Sequence, residues 1–117
     1  MIELEVLNYL ESVMDVPVFM EKPTENMQEF VLLEKTSSGQ ENHIQSATFA
    51  IQSWSDSMYE AALLNEAVKT AMLGDGKTSY GITASTDISR CALNSDYNYT
   101  DTTTKSYRYQ AVFDLVF

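Results

Sequence analysis

Two side chains in this sequence could act as a nucleophile or its base, His43 and Cys91, and each is the only residue of its type. Ser-His-Asp or Cys-His catalysis would have to use His43. It follows Glu41 and Asn42 where a polar stretch gives way to an alternating one, and it reads as a solvated histidine at a loop-to-strand edge. Cys91 has one cationic neighbour in sequence, Arg90. That is weak support for a reactive thiolate, so the residue reads as a small buried hydrophobe. The run Asp75-Gly76-Lys77-Thr78-Ser79 has a loose likeness to a calcium or phosphate loop. It lacks the alternating oxygen ligands and closing Glu of the first and the leading glycine of the second, so it reads as a turn. Asn98-Tyr99-Thr100 matches a glycosylation sequon, but no secretory signal accompanies it. Carboxylates are too evenly spread for any pair to stand out as acid and base. No catalytic residue, metal site or cofactor is expected, and the chain is read as a non-enzyme.

Binding chemistry is better represented. Tyr97, Tyr99, Tyr107 and Tyr109 crowd one short region, and tyrosine is enriched where proteins meet. Tyr107 and Tyr109 read as the core face of a last strand; Tyr97 and Tyr99, flanked by Asp96 and Asp101, read as interface residues. The 117 residues carry 17 acidic and 7 basic side chains, a net charge of −10. A surface negative nearly everywhere repels phosphate backbones and anionic membranes, so neither specific nucleic-acid binding nor membrane association is expected. A single cysteine forms no intrachain disulfide. No apolar run approaches the roughly 20 residues that span a bilayer.

These residues must be positioned by a small set of elements. Residues 1–15 predict a helix, with Val6, Leu7, Leu10, Val13 and Met14 as its apolar stripe. Pro17 ends it. A short strand is expected at residues 18–20 and another at 30–35. Thr36-Ser37-Ser38-Gly39-Gln40 then reads as the polar loop of a hairpin. In residues 45–53, Ala47, Phe49 and Ile51 alternate with Ser46, Thr48 and Gln52, which predicts a half-buried strand. Ala61, Leu64, Val68, Ala71 and Met72 recur at helical spacing, with Ser57 and Glu60 spaced as a capping box and Gly74 as the terminating glycine. Residues 80–90 predict a poorly patterned strand and 94–105 a Thr-rich connection. The last strand alternates Tyr107, Tyr109, Ala111, Phe113, Leu115 and Phe117 against Arg108, Gln110 and Asp114. The expected fold is α+β: one domain over residues 1–117, with a mostly antiparallel sheet and two helices packed on one face.

Several segments, taken in order, carry a resemblance. They are Phe30-Val31-Leu32-Leu33-Glu34, the joint from Ile51-Gln52-Ser53-Trp54 to Glu60-Ala61-Ala62, Ser95-Asp96-Tyr97-Asn98-Tyr99-Thr100-Asp101, and Tyr107-Arg108-Tyr109-Gln110-Ala111-Val112-Phe113. Over almost the entire chain the sequence resembles the tail-completion proteins of long-tailed bacteriophages, the small tail-terminator and head-tail-joining proteins of siphophages and prophages of Gram-positive bacteria. The resemblance implies a virion protein, made in the host cytoplasm, that closes into a homo-oligomeric ring, expected to be a hexamer. The ring would cap the tail tube at its head-proximal end, contact the tail tube protein and the head-tail connector, and let DNA pass without binding it specifically. It implies no catalytic residues. The chain departs from many relatives at Thr36-Ser37-Ser38-Gly39, where a paired glycine often stands. The polar segments 36–42 and 94–105 are then the expected arms to a neighbour, with Ser37, Ser38, Gly39, Gln40, Tyr97, Tyr99, Asp101 and Arg108 as interface candidates. Competing readings are a head-side connector adaptor or stopper, a small acidic DNA-mimic inhibitor, and a hydrolase built on His43 or Cys91.

Overall fold

The structure, a computed structural model, describes residues 1–25, 27–84 and 87–117. Its elements run α1 (Ile2–Val13), β1 (Val18–Phe19), β2 (Phe30–Glu41), β3 (Ile44–Ser55), α2 (Met58–Leu73), a 3₁₀ turn (Ile82–Ala84), β4 (Arg90–Asn98) and β5 (Tyr107–Val116). The strands form one five-stranded sheet in the order β1-β2-β3-β5-β4. Among the described residues only the two-residue β1 is parallel to its neighbour, and the other pairings are antiparallel. The fold is α+β, as the alternation of the sequence predicts.

Alternation decides which face is dry. Ala47, Phe49 and Ile51 on β3 lie opposite Leu115, Phe113 and Ala111 on β5, and all six are buried. With Val31 and Leu33 of β2 they meet Val6, Tyr9 and Leu10 of α1 and Leu64, Val68, Ala71 and Met72 of α2 in one core cluster. Both helices therefore cover the same face. The Tyr9 hydroxyl, donating to the Ala71 carbonyl, ties α1 to α2. α1 ends at Val13, short of the expected Asp15; Val13 is exposed on its last turn, and Tyr9 is buried in the stripe in its stead.

α2 begins as expected. Ser57 is the N-cap, and its Oγ accepts from the Glu60 backbone N–H at 3.1 Å. Such a cap contributes about 1 kcal/mol. Only this half of the capping box forms among the described residues. Gly74 ends the helix with φ 81°, its N–H bonded to the Thr70 carbonyl at 2.8 Å. Residues 79–81 then cross back over the helix end so closely that a Cβ on Gly74 would lie 2.6 Å from the Tyr80 carbonyl carbon. Asp75-Gly76-Lys77-Thr78-Ser79 is a turn, held by the Asp75 carboxylate, which accepts from the backbone N–H groups of Lys77, Thr78 and Ser79.

Three expectations are corrected. Residues 36–40, read as a hairpin loop, continue β2 to Glu41, and the turn is Asn42-His43. Both turn residues have positive φ, 51° and 67°, the signature of a tight two-residue hairpin. The extension is hidden because both its faces are wet; an antiparallel ladder needs only backbone groups, so Ser, Gly and Gln pair as well as Val. Residues 80–90, read as a strand, hold the 3₁₀ turn instead, and β4 starts only at Arg90. Ile82 and Ile88 are buried there as plugs from irregular backbone; Ser85 and Thr86, part of that expected strand, lie outside the described residues. Residues 94–98, read as connection, belong to β4, and the polar link is correspondingly shorter.

The two loop glycines on either side of Asp75 separate backbone strain from collision. A Cβ on Gly76 (φ 74°) would touch nothing within 4 Å, whereas one on Gly74 would strike backbone. Gly76→Ala should cost about 1 kcal/mol from the left-handed backbone alone. Gly74→Ala should lower the thermal midpoint further, by at least about 4 °C more. Thermal unfolding followed by circular dichroism checks the ordering, and equal losses would refute it.

Candidate interaction surface

The sheet face turned away from the helices begins with the same parity. If Ile51 and Ser53 point inward, Gln52 and Trp54 point outward, and so do their partners on β5, Gln110 and Arg108. Phe30 lies opposite Trp54 on β2, and Tyr99, just past β4, bonds through its N–H to the Arg108 carbonyl at 2.9 Å. One cross-strand row thus reads Phe30, Trp54, Arg108, Tyr99.

The row is tightly built. Phe30 stacks on Trp54 at 5.3 Å between ring centroids and 16° between planes. The Arg108 Cζ lies 4.6 Å from the Trp54 ring centre and 4.7 Å from that of Tyr99, within cation–π reach of both. Arg108 Nε also donates to the Tyr99 carbonyl at 2.8 Å. Lys22 Nζ lies 5.0 Å from the Trp54 ring centre. Beside the row opens a cleft of about 250 Å³, bordered by Lys22, Phe30, Trp54, Lys105 and Tyr107.

The next row is a relay of side-chain hydrogen bonds. Trp54 Nε1–H donates to Gln52 Oε1 at 3.0 Å, and Gln52 Nε2–H donates to Gln110 Oε1 at 2.9 Å. Gln110 Nε2–H then donates to the Tyr97 hydroxyl. Each amide uses one donor and its acceptor, so the chain has one direction and orients Trp54 and Tyr97 together. Toward the far end of the sheet, the Asp114 carboxylate accepts from Thr48 Oγ1 at 2.8 Å and Asn94 Nδ2 at 2.9 Å. On the inner side, Asp96 locks β4 to α2. It accepts from Asn65 Nδ2 at 2.7 Å and pairs with Lys69 Nζ at 2.6 Å. Tyr97 is thereby displayed from a fixed strand, and Tyr99 from the residue just past its end, tied back by its N–H to the Arg108 carbonyl.

The expected interface residues fall into two groups. Tyr97, Tyr99, Asp101 and Arg108 come together at one end of the helix-free face. The two tyrosines are 41% and 44% exposed, with rings packed edge to face at 5.8 Å. Asp101 turns the chain. Thr103's backbone N–H, with the Thr104 side chain after it, holds the Asp101 carboxyl below the usual carboxylate range. Ser37, Ser38, Gly39 and Gln40 lie elsewhere, exposed on β2 near the hairpin tip. Ser37 pairs with Thr48, six residues along β3 from Trp54, which is about 20 Å. Ser38, Gly39 and Gln40 border a separate shallow groove with Met1, Lys35 and Phe117. Trp54, Gln52, Gln110, Phe30 and Lys22 complete the first group and were not among the sequence candidates. One signal marks them: Trp54 falls in phase with the polar set Thr48 and Gln52, not with Phe49 and Ile51.

His43 is exposed in the β2–β3 turn, and Cys91 is half-buried on β4. Burial, with the Asp114 charge second, pushes the Cys91 thiol up to about 12, the opposite of a reactive thiolate. Among the described residues no group of three or more His, Cys, Asp or Glu side chains could hold a metal. No helix there is long and apolar enough to cross a membrane. The sequence matches no protein-family model and no curated protein.

Trp54 is the only tryptophan, so its fluorescence reports this row alone. Arg108→Ala removes one wall of its setting and about 1 kcal/mol of cation–π stabilisation. The emission maximum should move to the red while the circular dichroism stays native. Lys35→Ala, which breaks only the bridge to Glu3 on α1, should leave the emission in place. An unchanged spectrum in Arg108→Ala would show that the stack does not persist in solution.

Proposed function

We propose that this chain is a structural subunit of a long-tailed bacteriophage tail. It closes into a ring, expected to be a hexamer, at the head-proximal end of the tail tube, ends tail growth and joins tail to head. The observation that carries this reading is a sheet unfinished on both sides. β1 covers β2 only at Val31 and Leu32, so residues 33–41 of β2 have no strand on their outer side among the described residues. β4 is likewise the last strand at the other margin. The two margins differ in sequence and in shape. A contact between unlike surfaces is heterologous, the kind that generates rings when its rotation closes. The resemblance of the sequence to tail-completion proteins supplies the assembly in which such a ring would serve.

Charge supports the same assignment. A net −10 subunit opposes adhesion of DNA, and acidic side chains lining a channel would let the genome slide. We place Asp and Glu residues on the lumen; a neutral or basic lumen in an assembled ring would refute that placement. The tail tube protein and the head-tail connector are the partners this function requires.

The test is deletion of the gene in its phage or prophage, followed by electron microscopy of the lysate. Tails of uncontrolled length beside filled, tailless heads are the expected result. Tails of normal length detached from filled heads would move the chain to the head-side connector. Intact virions would overturn the proposal.

A further inference from the structure

We propose that Arg108, flanked by the Trp54 and Tyr99 rings, is the receptor for a carboxylate on the neighbouring copy of this chain, and that this ion pair anchors the contact between adjacent subunits. The inference rests on the ring reading above and adds the residue and the partner group.

The guanidinium is prepared for a ligand that the chain does not itself supply. Two aromatic rings and the Nε bond to the Tyr99 carbonyl fix its plane. Its terminal N–H groups have no hydrogen-bond partner, and no carboxylate oxygen comes within 4.0 Å, among the described residues. By contrast Lys35 and Lys69 are both in ion pairs. Asp101 feels the Arg108 charge, but its carboxylate accepts from the Thr103 N–H and forms no ion pair with Arg108 within 4.0 Å. A planar donor fork held in one orientation matches a carboxylate, which it can bind through two parallel hydrogen bonds.

The composition of the chain argues for who brings that carboxylate. Subunits with 17 acidic and 7 basic side chains repel one another unless their contact matches an acid with one of the few cations. Lys22 and Lys105 border the cleft beside Arg108 together with Glu25 and Asp56, so three of the seven cations lie at this end of the sheet in a mixed-charge setting, not a uniformly acidic one. Trp, Tyr and Arg are the residue types that dominate binding energy at interfaces. The open margins alone leave register loosely set, because β2 is irregular between Lys35 and Ser37 and β4 between Leu93 and Ser95. A side-chain anchor beside them would hold the neighbour in register.

The experiment compares the full chain with Arg108→Gln and Arg108→Lys, each first shown to fold by circular dichroism. Assembly is measured by sedimentation over a range of concentrations and by electron microscopy on isolated tail tubes. The wild-type chain should form rings. Arg108→Gln should need about tenfold more protein or fail to assemble, and Arg108→Lys, which keeps charge but loses the fork, should fall between. Arg108→Gln rings at wild-type concentration would overturn the inference and leave the ring reading intact. A wild-type chain that stays monomeric alone and on tubes would overturn both. Variant rings that close normally but no longer seat on tubes would give the site to the tube protein and overturn the assignment to a second copy. Carbodiimide coupling of wild-type rings tests the contact without any substitution. Lys22 or Lys105 should join to Asp or Glu of another copy, and intermolecular links confined to other lysines would refute the placement.

Discussion

The register of β3 against β5 is the constraint on which both sides of the sheet depend. Placing Phe49 opposite Phe113 brings two fully buried rings together under the helices. The same register sets Trp54 beside Arg108, Gln52 beside Gln110 and Thr48 beside Asp114 on the open face. A slip of β5 by one residue would carry Phe113 into water and Gln110 into the core. Each buried Phe is worth about 2 kcal/mol or more against exposure. An orphaned buried amide costs about 1–3 kcal/mol. The core term and the polar ladder therefore select the same alignment, and neither could be satisfied alone. That agreement is why a half-open sheet can still be specific.

Those parts of the fold that bury one face were legible in the sequence, and those that do not were obscure. β3 and β5 alternate cleanly because one side is dry. α2 is marked at both ends, by Ser57 and Gly74, whose roles are local and chemical. β2 beyond Lys35 and β4 beyond Leu93 are wet on both faces, so no period-two pattern is imposed on them. A bulge in each further breaks what parity there is. The Asn42-His43 turn lacks the glycine that usually signals a two-residue hairpin; Asn and His are among the residues that best tolerate positive φ. Exposed strand and polar loop look alike in composition, which is how residues 36–40 and 94–98 came to read as loops.

The candidate surface was half legible for a related reason. Tyr97, Tyr99, Asp101 and Arg108 stand out as aromatic and charged residues with no evident place in a core. Trp54 and Phe30 look like core residues by type, and Trp54 is only 8% exposed. Its burial comes from neighbours on the open face, Phe30, Lys22 and Arg108, and not from the helices. Residue type predicts that a tryptophan will be covered; only register tells on which side. The Ser37 to Gln40 group, predicted together with the tyrosines, lies toward the opposite end of β3, about 20 Å from Trp54.

Net charge sets a second requirement on any assembly of this chain. At physiological ionic strength, charges more than about 8 Å apart are largely screened, so the general repulsion between acidic subunits weakens quickly with distance. At a closed contact that protection disappears, because water and salt are excluded from between the surfaces. A charge pair 4 Å apart at such a partly dry surface interacts by about 4 kcal/mol, favourable for unlike and unfavourable for like signs. Two acidic faces brought together without a cation would therefore meet several such penalties at once. A guanidinium held within cation–π reach of Trp54 and Tyr99 has given up part of its hydration before any partner arrives, so binding a carboxylate costs it less. Pre-ordering by the rings also removes side-chain entropy from the cost of association. Among 17 acids, a prepared cation favours those orientations of approach that bring a carboxylate to it over those that oppose two acids.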